Sequence, residues 1–231
     1  MRVRVKFTKS EPLHYLGHLD VMRYFQKAIR RAGIPASFSS GFSPHIIMSF
    51  ASPLGVGKVS RGEYFDLDLA EDLDPDEVVR LLKAQMSSGI DVVGASAIPE
   101  TKKSNGMRVI AAASYEVPLT GALGNLTETD ISSFLERDTI AVTRKTKRSC
   151  ELTDIRPWIY DLKMKEGSLS FLISAGSVNN LRPELLLEAI ASFTGKEIPE
   201  GSVRICRTDL YADRGAEGRH EFVPLLTCDS Q

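Results

Sequence analysis

Two ferredoxin-like (βαββαβ) halves in tandem, an α+β protein with antiparallel sheets, is the fold this sequence predicts. Three observations predict it. Polar and apolar residues alternate through 2–8 and 63–69, as strands with one buried face do. Helical periodicity falls between and after them, so residues 1–100 run β-α-β-β-α-β, the order of a ferredoxin-like unit. The same order returns over 107–212. The 231 residues, 42% of them hydrophobic, suffice for one large core or two small ones, and the repeated order favours two.

The first strand, 2–8, sets Val3, Val5 and Phe7 on one face and Arg2, Arg4 and Lys6 on the other. The first helix, 18–32, follows from Leu19, Met22, Phe25, Ile29 and Ala32, which recur at three- and four-residue steps. Arg23, Lys27, Arg30 and Arg31 fall on its opposite side. Gly33 ends it as a glycine C-cap, with Pro35 beyond. A serine- and glycine-rich loop covers 36–45, a short strand 45–50 and a long loop 51–62. The strand 63–69 turns Phe65, Leu67 and Leu69 inward. Asp74-Pro75 opens a second helix to about 87, because an aspartate accepts from free N–H groups at the cap and proline suits the first helical position. A strand at 90–98 closes this half, and a polar linker is expected at 101–106. The second half reads as a strand at 108–117, a helix near 127–136, strand pieces at 139–143 and 154–163, and a turn at 165–167. A strand at 168–174, a helix from 183 to about 192 and a last strand at 202–211 complete it. Residues 213–231, rich in Gly, Glu and Arg, are expected to form a flexible tail.

Charge and cysteine usage bound the function. A formal net charge of -1 excludes a globally basic nucleic-acid binder, yet the charges are unevenly placed. Residues 1–35 hold eight basic side chains against Glu11 and Asp20, whereas 63–77 holds eight acidic ones and no base. Cys150, Cys206 and Cys228 are too far apart, and odd in number, for a disulfide framework or a zinc cluster. Free thiols are the reading. Met1 leads straight into the first strand without a signal-peptide pattern, and no apolar run approaches 18 residues, so a cytoplasmic protein is expected. The alternation also sets Arg2, Arg4 and Lys6 beside Tyr64, Asp66 and Asp68 on the sheet face away from the helices. Two readings stay open there: cross-strand ion pairs, or a basic surface that meets RNA, for which only Tyr64 offers stacking.

The candidate site residues cluster in 6–50. His14 and His18 flank the start of the first helix and His45 begins the next strand. A histidine titrates near neutrality and can act as general acid or base, so His18 and His45 are the candidate catalytic residues. The alternative is structural, with His18 capping the helix and His45 bonding loop backbone. His14, His18, Asp20 and His45 lack the spacing of a metal set, and no metal is expected. Phosphate contacts are expected from Arg23, Lys27, Arg30 and Arg31, and from the glycine turns carrying Gly41, Ser43, Gly55 and Gly57, whose backbone N–H groups can cradle an anion. Arg144, Lys145, Lys147 and Arg148, on an expected hairpin tip, extend that surface. His18, Ser43 and His45 are expected to line a groove between the halves.

The stretches KSEPLHYLGHLDVMRYFQKAIRRAG (9–33), SSGFSPHIIMSFASPLGVGKVSRGEYFDLDL (39–69), RKTKRSCELTDIRPWI (144–159) and RTDLY (207–211) resemble the bacterial family DUF2344, over about 1–212. The resemblance implies a radical-SAM-associated domain that occurs alone or at the C-terminus of a radical SAM protein with a cobalamin-binding region. It also implies genes near those of an RNase E/G-type ribonuclease and ribosomal proteins, hence an RNA or ribosome context. This chain is not itself the radical enzyme. Such a cluster needs closely spaced cysteines, and the nearest pair, Cys206 and Cys228, lies 22 positions apart. No cofactor is expected. The expected role is an RNA-binding or substrate-presenting accessory protein, with RNA, a radical SAM/cobalamin protein or an RNase E/G-type ribonuclease as partner. Two other classes stay open: a metal-independent RNA-cleaving enzyme using His18 or His45, and a purely protein-binding module.

Overall fold

The computed structural model describes residues 1–145, 150–199, 201–216 and 218–229. The chain is mixed α+β, with a large, mostly antiparallel sheet and, among the described residues, five α-helices. None of these helices is long and apolar enough to cross a membrane. In chain order the first elements are β1 (Arg2–Lys9), α1 (His18–Arg31), β2 (Met48–Phe50), β3 (Val59–Asp68), α2 (Pro75–Lys83), β4 (Ile90–Ile98) and α3 (Gly106–Val109). There follow β5 (Ile110–Pro118), α4 (Glu128–Leu135), β6 (Ala141–Lys145), β7 (Cys150–Asp154), β8 (Ile159–Lys165), β9 (Ser168–Ser174), α5 (Pro183–Phe193), β10 (Cys206–Asp213) and β11 (Phe222–Pro224). Contacts divide the chain into two units. One is Met1–Ala112 with Arg207–Gln231, the other Ala113–Cys206.

In the first unit β1 lies between β3 and β4, antiparallel to both, while β2 pairs with β3, β10 follows β3, and β11 pairs with β10. The apolar row of β1 does what its alternation predicts, since Val3, Val5 and Phe7 are buried. Phe7, Phe25, Phe50 and Phe65 interlock around them, with Phe7 and Phe65 each 4.7 Å from Phe25 in edge-on or tilted geometry. The buried stripe of α1 differs from the expected one. Val21, Phe25, Ala28 and Ile29 face the core, whereas Leu19 is 57% exposed. Steps of four, three and one residue make one face of a helix, and Leu19 stands on the other side of Val21. The capping of α2 is as expected: Asp74 accepts from the Asp76 N–H at 2.8 Å and Pro75 opens the helix. Gly33 takes φ +67 beyond the end of α1, a conformation that favours glycine.

Four expectations change at the element ends. The strand expected at 45–50 is only Met48–Phe50, because His45 is bonded into a turn. The expected linker at 101–106 runs directly into α3, whose cap is Asn105. The piece expected at 154–163 is strand only from Ile159, as β8, because β7 ends at Asp154 and a short 3-10 turn, Arg156–Trp158, follows, where Pro157 has no N–H to give a ladder. Residues 213–231 contain β11 and bury Leu225 and Cys228. Apolar side chains hold that segment down, which its polar composition conceals.

In the second unit the sheet order is β5-β9-β8, and β6 and β7 form a separate two-stranded hairpin. A capping box opens α4: the Thr127 side chain accepts from the Asp130 N–H and Asp130 accepts from the Thr127 N–H. Tyr115 stacks on Phe171 at 5.5 Å, and Leu186, Leu187 and Ile190 of α5 are buried.

Candidate functional site

The sheet face of the first unit shows where its cations go. Register sets Arg2 opposite Asp68 and Arg4 opposite Asp66. Arg2 pairs with Asp68 through two nitrogens. Arg4 is fully buried and donates to Asp66 at 2.8 Å, to Asp229 at 2.9 Å, and to the Ser104 and Leu225 carbonyls. Lys6 reaches Asp209 at 2.7 Å, and the Tyr64 hydroxyl donates to the same carboxylate at 2.5 Å. Burial, with the Asp209 charge beside it, pushes the Tyr64 hydroxyl well above its ordinary pKa. Of the two sequence readings of this face, ion pairing is the one present. The sequence placed the rows but missed Asp209 and Asp229, whose distance along the chain no local pattern encodes.

A second polar cluster lies on the helix side, under the LGHLD and PLGVG motifs. Glu63 and Arg207, each 3% exposed, form a two-point ion pair, and Arg207 also donates to the Ser52 carbonyl at 2.5 Å. Lys9 is 2% exposed and donates to the Leu16 carbonyl at 2.9 Å. Desolvation lowers the Lys9 pKa from its ordinary value; Arg207 and Lys58 add to this, and Glu63 opposes it. Lys9, His18, Phe50, Leu54 and Glu63 line a cavity of about 10 Å³, room for about one water. The His18 ring stands edge-on to Phe50 at 5.0 Å. Lys9 was missed in the sequence although one signal was present, since it continues the parity of Val3, Val5 and Phe7.

The other candidate residues fall in two places on the first unit. On α1, Arg23, Lys27, Arg30 and Arg31 are all exposed. Arg23 approaches Asp20 at 3.7 Å, Arg31 donates to Gln85, and Lys27 and Arg30 form no ion pair among the described residues. Residues 37–47 fold as a narrow hairpin closed by the Phe38–Ile46 bridge and by Ser39, whose hydroxyl accepts from the His45 N–H and lies 2.9 Å from His45 Nδ1. Gly41 and Ser43 are exposed at its tip, and Phe42 is fully exposed there. The 51–58 loop is tied down by the Gly57 N–H, which donates to the His14 carbonyl at 2.9 Å, and Lys58 Nζ sits over Gly55. His18 and His45 thus have different surroundings, one beside the buried lysine and one on the hairpin. His14, His18, Asp20 and His45 do not converge, and among the described residues no group of three or more His, Cys, Asp or Glu side chains could hold a metal ion. In the second unit the Arg144 guanidinium lies 5.2 Å from the Trp158 ring centre. Lys145 ends β6, while Lys147 and Arg148 lie outside the described residues.

No curated protein matches the chain. A family model does, over residues 2–183, which takes in the LGHLD, GFSPH and PLGVG motifs, Lys9 and Glu63. Its description is an uncharacterized protein conserved in bacteria, and over that span the chain belongs to this family, DUF2344.

Proposed function

We propose that the chain is an RNA-binding, substrate-presenting accessory protein of the cytoplasm, acting in the RNA-processing or radical SAM context that its family resemblance implies. The exposed face of α1 carries the reading. It presents four cations against the single carboxylate of Asp20, and three of them, Lys27, Arg30 and Arg31, have no acidic partner among the described residues. Such a row holds phosphates at the expense of condensed counterions. The cations of β1 contribute little, because carboxylates already neutralise them. Phe42, bare at the tip of the 37–47 hairpin, offers a base a face to stack on.

Binding suits the geometry better than cleavage. His18 lies against Phe50 above a cavity with room for about one water, and His45 is engaged with Ser39. We also read each half as ferredoxin-like. Support comes from the antiparallel pairings of β1 with β4 and β3 and of β2 with β3 in the first unit, where β10 also lies beside β3, and from β5-β9-β8, with α4 and α5, in the second.

Fluorescence anisotropy with a labelled single-stranded RNA, titrated at several salt concentrations, tests the function. If three or four phosphates are contacted, log K falls against log salt with a slope of about -2 to -3. The double reversal Lys27→Glu, Arg30→Glu should flatten that slope by roughly half while thermal stability stays put. Salt-independent binding, or none, overturns the proposal. Loss of intact RNA that His18→Ala or His45→Ala prevents would replace it with the cleaving reading.

A further inference from the structure

A cavity of about 690 Å³ lies within the second unit between β6 and α5, inside the ~300–1,000 Å³ range of ligand sites. One wall is Ile140, Ala141, Val142 and Thr143 in succession. Successive residues of a strand point to opposite faces, so four in a row form an edge of the strand and not a face. The hydrogen-bond parity agrees. The Ile155 N–H donates to the Ile140 carbonyl at 2.9 Å, and the register continues from there as Ala141↔Asp154 and Val142↔Thr153. Bonded and non-bonded pairs alternate in an antiparallel ladder, so Val142 bonds to β7 while the N–H and C=O groups of Ala141 and Thr143 point the other way. Among the described residues β6 has no strand neighbour but β7.

The opposite wall is the apolar stripe Leu185, Ala189 and Phe193 of α5. The Arg137 guanidinium stands 5.6 Å from the Phe193 ring centre on the same cavity and pairs with no carboxylate among the described residues. Glu188, also on that wall, forms no ion pair with it.

We propose that this groove binds an extended peptide as a third strand on β6, with an acidic side chain of that peptide on Arg137. The free edge supplies main-chain hydrogen bonds, the α5 stripe covers the peptide's apolar side chains, and the unpaired cation selects a carboxylate. This inference uses residues of the second unit alone and does not rest on RNA binding.

The probe is the fluorescein-labelled peptide Thr-Val-Glu-Val-Thr, added to the whole chain. Anisotropy should show saturable binding, weakened at least about tenfold by Arg137→Glu. Amide hydrogen exchange at Ala141 and Thr143 should slow in the complex. Thr143→Pro should abolish binding, because it removes an N–H that serves the groove and not the ladder to β7. If that variant fails to fold, the same peptide N-methylated at alternate amides tests those bonds in the unaltered chain, and it should not bind. Absence of binding, unchanged exchange, or unweakened binding of the N-methylated peptide overturns the proposal. So does equal binding of glutarate, which would make the groove a site for small acids.

Discussion

A guanidinium shut off from water must find its partners inside the protein, and Arg4 finds them in Asp66, Asp229 and two carbonyls. Breaking a buried pair costs far more than the pair contributes, because the surviving charge has nowhere to go. Asp66→Ala should therefore cost about 3–5 kcal/mol in urea unfolding. A loss no larger than that of an exposed ion pair would show that water reaches Arg4. Lys9 makes a different prediction. Burial holds its folded-state pKa below the ordinary 10.5, so between the two values the unfolded chain binds more protons. Stability must then rise with pH across that window. Lys9→Met removes the group, so wild-type stability relative to this variant should climb as pH approaches 10.5 and stay level at lower pH. A flat difference would mean that Lys9 titrates as a solvated amine. Asp66 and Lys9 were both legible, one through the cross-strand register and the other through parity. Asp229 was not, since nothing near Arg4 in sequence announces it.

At the scale of elements, α1 shows what periodicity can and cannot decide. Phe25 and Ile29 belong to either stripe, and side-chain size favours completing it with Leu19 and Met22. The structure completes it with Val21 and Ala28, and Phe25 on that face meets the ring cluster of Phe7, Phe50 and Phe65. That cluster is assembled from three strands, and a helical wheel contains none of them. Ala28→Leu should overpack the contact and cost roughly 1–3 kcal/mol. Leu19→Lys, on the exposed side, should stay within about 0.5 kcal/mol of wild type. If denaturation midpoints reverse that ranking, α1 does not pack through its Val21–Ala28 face. The α2 cap, the glycine stop of α1 and the Thr127–Asp130 capping box were all readable, because a cap is settled within four residues. The hairpin at 37–47 was not, since turn composition does not announce the Phe38–Ile46 bridge, the backbone bonds or the Ser39 hydroxyl contacts that close it.

At the scale of the whole chain, the first unit is discontinuous, with Met1–Ala112 closed by Arg207–Gln231. The returning segment supplies Arg207 to Glu63, Asp209 to Lys6 and Tyr64, and Asp229 to Arg4. It also lies close against β3: a Cβ on Gly62 would stand 2.6 Å from the Thr208 carbonyl oxygen. Without that segment four buried or half-buried polar groups lose their partners together, each at about 1–3 kcal/mol or more, a loss comparable to the whole margin of a typical domain, about 5–15 kcal/mol. Bringing the segment back across the intervening chain is cheap by comparison, since doubling a loop adds only about 0.6 kcal/mol. A fragment of residues 1–112 should accordingly lack a cooperative urea transition and fixed aromatic circular dichroism. A peptide of residues 207–229 added in trans should restore both at sufficient concentration, because it carries the missing carboxylates, Arg207 and Leu225. Cooperative unfolding of the fragment alone, at the midpoint of the full chain, would mean that Glu63, Tyr64 and Arg4 are satisfied without the segment, against the hydrogen bonds that join them to it.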